Sequence, residues 1–101
     1  MSENLLNLVN TIRDRKNKDV NRSYTSSLLS GGLSKCIDKM EEEFSELKEA
    51  LNDKSNIVHE AADTIYHILV TLEAADIKFE DVLKELEDRK KQSGIEEKNS
   101  M

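Results

Sequence analysis

Apolar residues recur along the chain at helical spacing, separated by short polar stretches. The least polar block runs from Ile57 to Leu72, IVHEAADTIYHILVTL. At 3.6 residues per turn, Ile57, Val58, Ala61, Ala62, Ile65, Ile68, Leu69 and Leu72 cover one wide face. Tyr66 and Val70 stand on the opposite side, so the helix is apolar nearly all round, the mark of a buried helix. A narrow polar file of Glu60, Asp63, Thr64, His67 and Thr71 interrupts it. Glu60 and Asp63 are i, i+3 neighbours, and two like charges beside apolar walls are costly unless a cation compensates them.

The other blocks read in the same way. Residues 3–16 place Leu5, Leu6, Val9 and Ile12 on one helix face, with Arg13, Arg15 and Lys16 at its C-terminal end, where cations suit the dipole. Residues 17–22 form a polar loop, Ser23 is an N-cap for a short helix through Leu29, and Gly31-Gly32 ends it. Leu33 to Leu51 is a long amphipathic helix with Leu33, Cys36, Ile37, Met40, Phe44, Leu47 and Leu51 as its core stripe. Asn52 to Asn56 makes the next turn, with Ser55 or Asn56 as the cap of a helix that ends near Asp76. A last helix spans Phe79 to Lys91, with Phe79, Val82, Leu83 and Leu86 inward, acids in its first turn and bases in its last. The tail, residues 92–101, is polar. The expectation is one all-α domain over 1–101, a helical bundle built on the antiparallel pair Leu33–Leu51 and Ile57–Asp76.

Composition supports this pattern. The 101 residues contain no proline and three glycines, and their apolar stripes oppose disorder despite 36% charged residues. No stretch reads as a signal peptide or a membrane span. The lone Cys36 reads as a reduced core residue of a cytoplasmic protein. The net charge of −6 is uneven: residues 1–40 carry +3 and residues 41–101 carry −9. An acidic body opposes nucleic-acid binding, whereas a basic N-terminal third beside an acidic face suits a small polyphosphate.

The acids suggest chemistry. On one flank of the long helix stand Lys39, Glu43 and Glu46, with Glu42 pointing further out. Antiparallel packing brings Glu43 and Glu46 toward Glu60 and Asp63, two i, i+3 pairs facing one another. Oxygen-only clusters suit Mg²⁺ or Mn²⁺ rather than zinc. Such an ion shares phosphate oxygens with a substrate and acidifies a water. Lys39, one turn before Glu43, reaches toward a phosphate. Taken alone, Glu43 and Glu46 are also the pattern of any solvated helix face, and His67 is that of a hydrogen-bonded core histidine.

At these residues the chain resembles the phosphoribosyl-ATP pyrophosphohydrolases of histidine biosynthesis, members of the all-α, MazG-like nucleoside-triphosphate pyrophosphohydrolases. The resemblance runs from Ser23 to about Lys98. It rests on Ser23-Tyr24-Thr25 with Leu28-Leu29, on Gly32, Lys35 and Lys39, on Glu42-Glu43-x-x-Glu46, on Glu60-Ala61-Ala62-Asp63 with Tyr66-His67, on Asp81 to Glu87, and on Ser93 to Lys98. The chain departs from the family pattern at Asp38, Glu41 and Phe44.

The resemblance implies Mg²⁺-dependent hydrolysis of phosphoribosyl-ATP to phosphoribosyl-AMP and pyrophosphate. Glu43, Glu46, Glu60 and Asp63 would be metal ligands and Glu42 would orient water. Lys35 and Lys39 would contact phosphates, and Ser23 and Tyr24 the substrate. It also implies a homodimer, as does the all-round apolar helix, whose Tyr66 and Val70 side calls for a second copy. Two other readings stay open: a house-cleaning (d)NTP pyrophosphatase with the same metal site, and a non-enzymatic helical interaction module whose acids are surface charge.

Overall fold

The computed structural model describes residues 2–16 and 23–90. The expected loop at 17–22 and the tail at 92–101, with its Ser93–Lys98 motif, lie outside the described residues. Five helices make up the rest: α1 (Ser2–Arg15), α2 (Tyr24–Ser30), α3 (Gly32–Asp53), α4 (Ile57–Ala74) and α5 (Phe79–Lys90). No strand occurs among the described residues. The all-α class and the helix boundaries follow the sequence pattern closely, and no helix is long and apolar enough to cross a membrane.

Local chemistry sets the breaks. Ser23 caps α2 as expected: its backbone is extended (φ −158°, ψ 155°) and its Oγ accepts from the Ser26 N–H at 2.9 Å. Gly32 adopts φ +89°, a conformation that favours glycine, and so lets α3 depart from α2 without a break in the chain. The turn between α3 and α4 uses two left-handed residues, Lys54 (φ 59°) and Asn56 (φ 55°). Asn56 holds the cap position of α4 but makes no side-chain cap bond. A capping side chain needs an extended backbone, which the left-handed turn denies it.

The helices α3 and α4 form an antiparallel hairpin, and the polar file of α4 lies along their contact. Thr64 Oγ1 donates to the Glu43 carbonyl at 3.2 Å, and Thr71 Oγ1 to the Cys36 carbonyl at 3.2 Å. A step of seven residues up α4 thus matches seven down α3. Each hydroxyl also lies within hydrogen-bonding distance of the carbonyl four residues back in its own helix, Glu60 for Thr64 and His67 for Thr71. The core is Val9 and Ile12 of α1, Leu28 of α2, Cys36, Leu69 and Val70 of the hairpin, and Phe79 of α5. The Cys36 thiol donates to the Leu28 carbonyl at 3.3 Å, and burial raises its pKa.

Two expectations are corrected here. The predicted core stripe of α3 is largely open: Leu33, Ile37, Phe44 and Leu51 are 36–53% exposed. Of that stripe Cys36 is buried as expected, and Ala50, outside it, is buried too; both are small residues that let the helix approach its neighbours closely. On α4, Val70 is 1% exposed and lies inside the fold, while Val58 (84%) and Ile65 (50%) are open. The exposed apolar side is therefore the Val58–Ile65 side, not the Val70 side. The threonines explain the reversal, because they satisfy their hydroxyls internally and so can be buried where a charged side chain could not.

The basic end of α1 is also placed differently from a polyphosphate-binding role. Arg13 grips both oxygens of Glu80 (2.5 and 3.0 Å) and stands 3.6 Å from Glu73. Lys16 donates to the Glu73 carbonyl (3.1 Å) and pairs with Asp76 (2.5 Å). These cations tie α1 to the C-terminal end of α4 and to α5. Glu73 lies about 20 Å along α4 from Glu60, at 1.5 Å per residue, so Arg13 and Lys16 are remote from the acidic pairs.

Candidate active site

The hairpin brings the acids of both helices together. Glu43, Glu46 and Glu60 offer ligand oxygens that all lie within 4.8 Å of one another, and His59, Glu60 and Asp63 do the same. Glu60 belongs to both sets, so the facing pairs expected from i, i+3 spacing meet through it. The Thr64 bond to the Glu43 carbonyl fixes the height of one pair against the other.

The electrostatics are those of crowded carboxylates. Burial raises the Glu43 pKa, and the nearby Glu46 and Asp63 charges raise it further. Glu60 is raised likewise, first by desolvation and then by Glu46. Glu43 Oε2 and Glu60 Oε2 are buried without a hydrogen-bond partner. A buried acceptor with no donor is costly, and two in one cluster mark a place where positive charge is missing.

Beside the acids lies an aromatic cluster contributed by α2 and α4. His67 is buried, with Nδ1 2.8 Å from the Asp63 carbonyl and Nε2 3.3 Å from the Tyr24 hydroxyl. A carbonyl only accepts, so Nδ1 carries the proton and Nε2 receives the Tyr24 O–H. His67 is therefore the hydrogen-bonded core histidine that its pattern suggests. Tyr24 is 56% exposed, and its ring stacks on Tyr66 at a centroid distance of 6.4 Å. The Tyr66 hydroxyl is in turn bonded to Thr25 Oγ1. Sequence motifs whose meeting residues are 41 and 43 positions apart, Ser23-Tyr24-Thr25 and Tyr66-His67, thus come together next to Asp63.

The remaining candidates are spread around this centre. Lys39 is half-buried and pairs with Glu42 at 3.2 Å, which raises its pKa. Its charge also acts on the Tyr24 phenol, lowering a pKa that burial raises. Glu42 is exposed and stands outside both carboxylate sets. Lys35 is exposed, about 12 Å along α3 from Glu43 by the helical rise. The Ser23 hydroxyl is taken up by α2: besides capping, it donates to Ser26 Oγ at 2.9 Å. His59 was not singled out in the sequence, although its four-residue spacing to Asp63 was the available signal. Its Nε2 lies 3.2 Å from Asp63 Oδ2.

Known proteins are similar over most of this length. The model of the family Phosphoribosyl-ATP pyrophosphohydrolase matches residues 5–90. A Phosphoribosyl-ATP pyrophosphatase of Paracoccus denitrificans is 44% identical over 95 residues, covering 92% of this chain and 88% of its own. The protein of the same name from Roseobacter denitrificans is 47% identical, with 87% and 86% covered. That from Ruegeria pomeroyi is 44% identical, with 93% and 91% covered. The matched span holds the acids, the aromatic cluster and both helices that carry them, and the chain belongs to the phosphoribosyl-ATP pyrophosphohydrolase family.

Proposed function

We propose that this chain hydrolyses phosphoribosyl-ATP to phosphoribosyl-AMP and pyrophosphate in histidine biosynthesis, using Mg²⁺ or Mn²⁺ held by Glu43, Glu46, Glu60 and Asp63. The observation that carries the reading is the convergence of these acids in a chain of this family, with two buried carboxylate oxygens left unpartnered. Hard oxygen donors of this kind fit Mg²⁺. The ion supplies charge neutralisation at the polyphosphate and acidifies a water.

The chain's own residues supply position. Lys39 exchanges Glu42 for a phosphate oxygen, which frees Glu42 to orient the attacking water. Lys35 meets the outer part of the polyphosphate. Tyr24 offers its exposed ring and hydroxyl to the substrate, and His67 holds that hydroxyl in place. Ser23, whose hydroxyl is committed to the cap, serves by fixing Tyr24 at the start of α2. Positioning and charge neutralisation do most of the work in phosphoryl transfer.

The same reading makes the enzyme a homodimer. Ile37, Phe44 and Leu51 of α3, with Val58 and Ile65 of α4, leave an apolar face open on the protomer. Faces of this kind mark interaction surfaces, and a second copy is the occupant. A cytoplasmic location accords with a buried, unpaired thiol at Cys36.

A (d)NTP pyrophosphatase would use the same acids, so the test is substrate choice. Pyrophosphate release is measured on phosphoribosyl-ATP and on a panel of ribo- and deoxyribonucleoside triphosphates. Turnover confined to phosphoribosyl-ATP is expected. Turnover confined to the panel favours the house-cleaning reading, and none at all favours the interaction module.

A further inference from the structure

Tyr24 is held on several sides and yet left open. Its hydroxyl donates to His67 Nε2 at 3.3 Å, and its ring edge meets the His67 ring at a centroid distance of 6.0 Å. It also stacks on Tyr66, with 18° between the ring planes. Tyr66 is fixed in turn: its hydroxyl is bonded to Thr25 Oγ1, its ring meets His67 edge-on at 5.1 Å, and it packs against the core. Even so, Tyr24 stays more than half exposed. An exposed aromatic is ordinary by itself. One locked through both its hydroxyl and its ring has already lost the freedom that binding would otherwise have to remove. The surroundings sort the parts of a nucleotide. The acids and Lys39 suit the metal and the phosphates, whereas the Tyr24 ring offers an uncharged face of the kind on which bases stack. Lys39 lies close enough to act on the Tyr24 phenol, so phosphates held at Lys39 leave the base within reach of that ring.

We infer that the open face of Tyr24 stacks the purine base of the substrate, and that Tyr66, held by Thr25, is a positioning residue that keeps this ring in place. The inference rests on the phosphoribosyl-ATP reading given above. Its signature is assignable, because the chain has two tyrosines and no tryptophan, and both tyrosines belong to the stack.

The test uses the full chain, labelled with ring-¹³C tyrosine, and AMP as the probe, since AMP carries the base without the polyphosphate. Millimolar AMP should give nuclear Overhauser contacts from adenine H2 or H8 to the Tyr24 ring and move its signals upfield, and ribose 5-phosphate should do neither. In turnover of phosphoribosyl-ATP, Tyr66→Leu should raise KM about tenfold with kcat within about twofold of wild type. Tyr66→Phe, which keeps the ring and loses the bond to Thr25, should recover part of that loss. A fall in kcat at unchanged KM, or no change in either, overturns the positioning role of Tyr66. Adenine contacts that miss Tyr24, or none at all, overturn the stacking platform whether or not Tyr66→Leu folds. If wild type does not turn over phosphoribosyl-ATP, the function proposed above falls, and the contacts to AMP decide the platform on their own.

Discussion

Glu60 shows at the scale of one residue how function costs stability. It is crowded by Glu46 and Asp63, its ionised form is disfavoured, and one of its oxygens is buried without a partner. Glu60→Gln should therefore raise the melting temperature of the metal-free protein at pH 7 while abolishing pyrophosphate release, as Asp63→Asn should abolish it. Mg²⁺ should raise the melting temperature of wild type and not of Glu60→Gln. A metal-free melting point lower than wild type would mean that the charge is not a burden. Lys39 makes a second test. It faces both Glu42 and the Tyr24 phenol, so Lys39→Ala should lower kcat/KM by about tenfold or more. Lys48→Ala, exposed on the same helix, should change little. Equal small effects would return Lys39 to the solvated surface. The convergence of the acids was legible in the sequence, because i, i+3 spacing on two antiparallel helices leaves few places for them to meet. His59 was not, since its four-residue spacing to Asp63 is that of any surface pair on a helix.

Among the elements, α1 depends on charge as well as on Val9 and Ile12. The Arg13 guanidinium holds the Glu80 carboxyl down to about 2, from an ordinary 4.5. Because the folded pKa is the lower, the pair stabilises the fold above about 4.5 and loses that contribution as pH falls toward 2. Wild type should therefore lose more melting temperature than Glu80→Gln across that window, and the two should converge at its lower end. Parallel curves would show that the pair is only a surface contact. The sequence marked the cations of α1 and the acids of α5 as separate dipole complements. It could not show that they face one another, because their pairing spans 67 residues and depends on how α1 lies across α4.

For the whole molecule, the proposed homodimer turns on the open face of the hairpin. Helical periodicity identified the apolar stripes correctly but not which of them a single copy would cover, since burial by a neighbour in the same chain and by a second chain leave the same pattern. Thr64 and Thr71 reversed the assignment by turning the polar file inward. Ile65→Asp should give a helical monomer in sedimentation, with activity lost alongside assembly, because the dimer would have to bury an unpaired charge. Val70→Asp should instead unfold the protomer, on the order of 4 kcal/mol or more, since its side chain is 1% exposed within one chain. A folded, dimeric Ile65→Asp variant would rule the interface out.

The two threonine bridges also bear on how this hairpin tolerates change. They sit seven residues apart on both helices, and each joins a side chain to a main-chain oxygen. Sliding α4 by one residue along α3 would swing both hydroxyls off their carbonyls together, and swing Glu60 away from Glu43 in the same motion. Length changes in the Lys54–Asn56 turn would have to be absorbed in the turn itself, and a drift in alignment would separate Glu60 from Glu43 and Glu46 at a stroke.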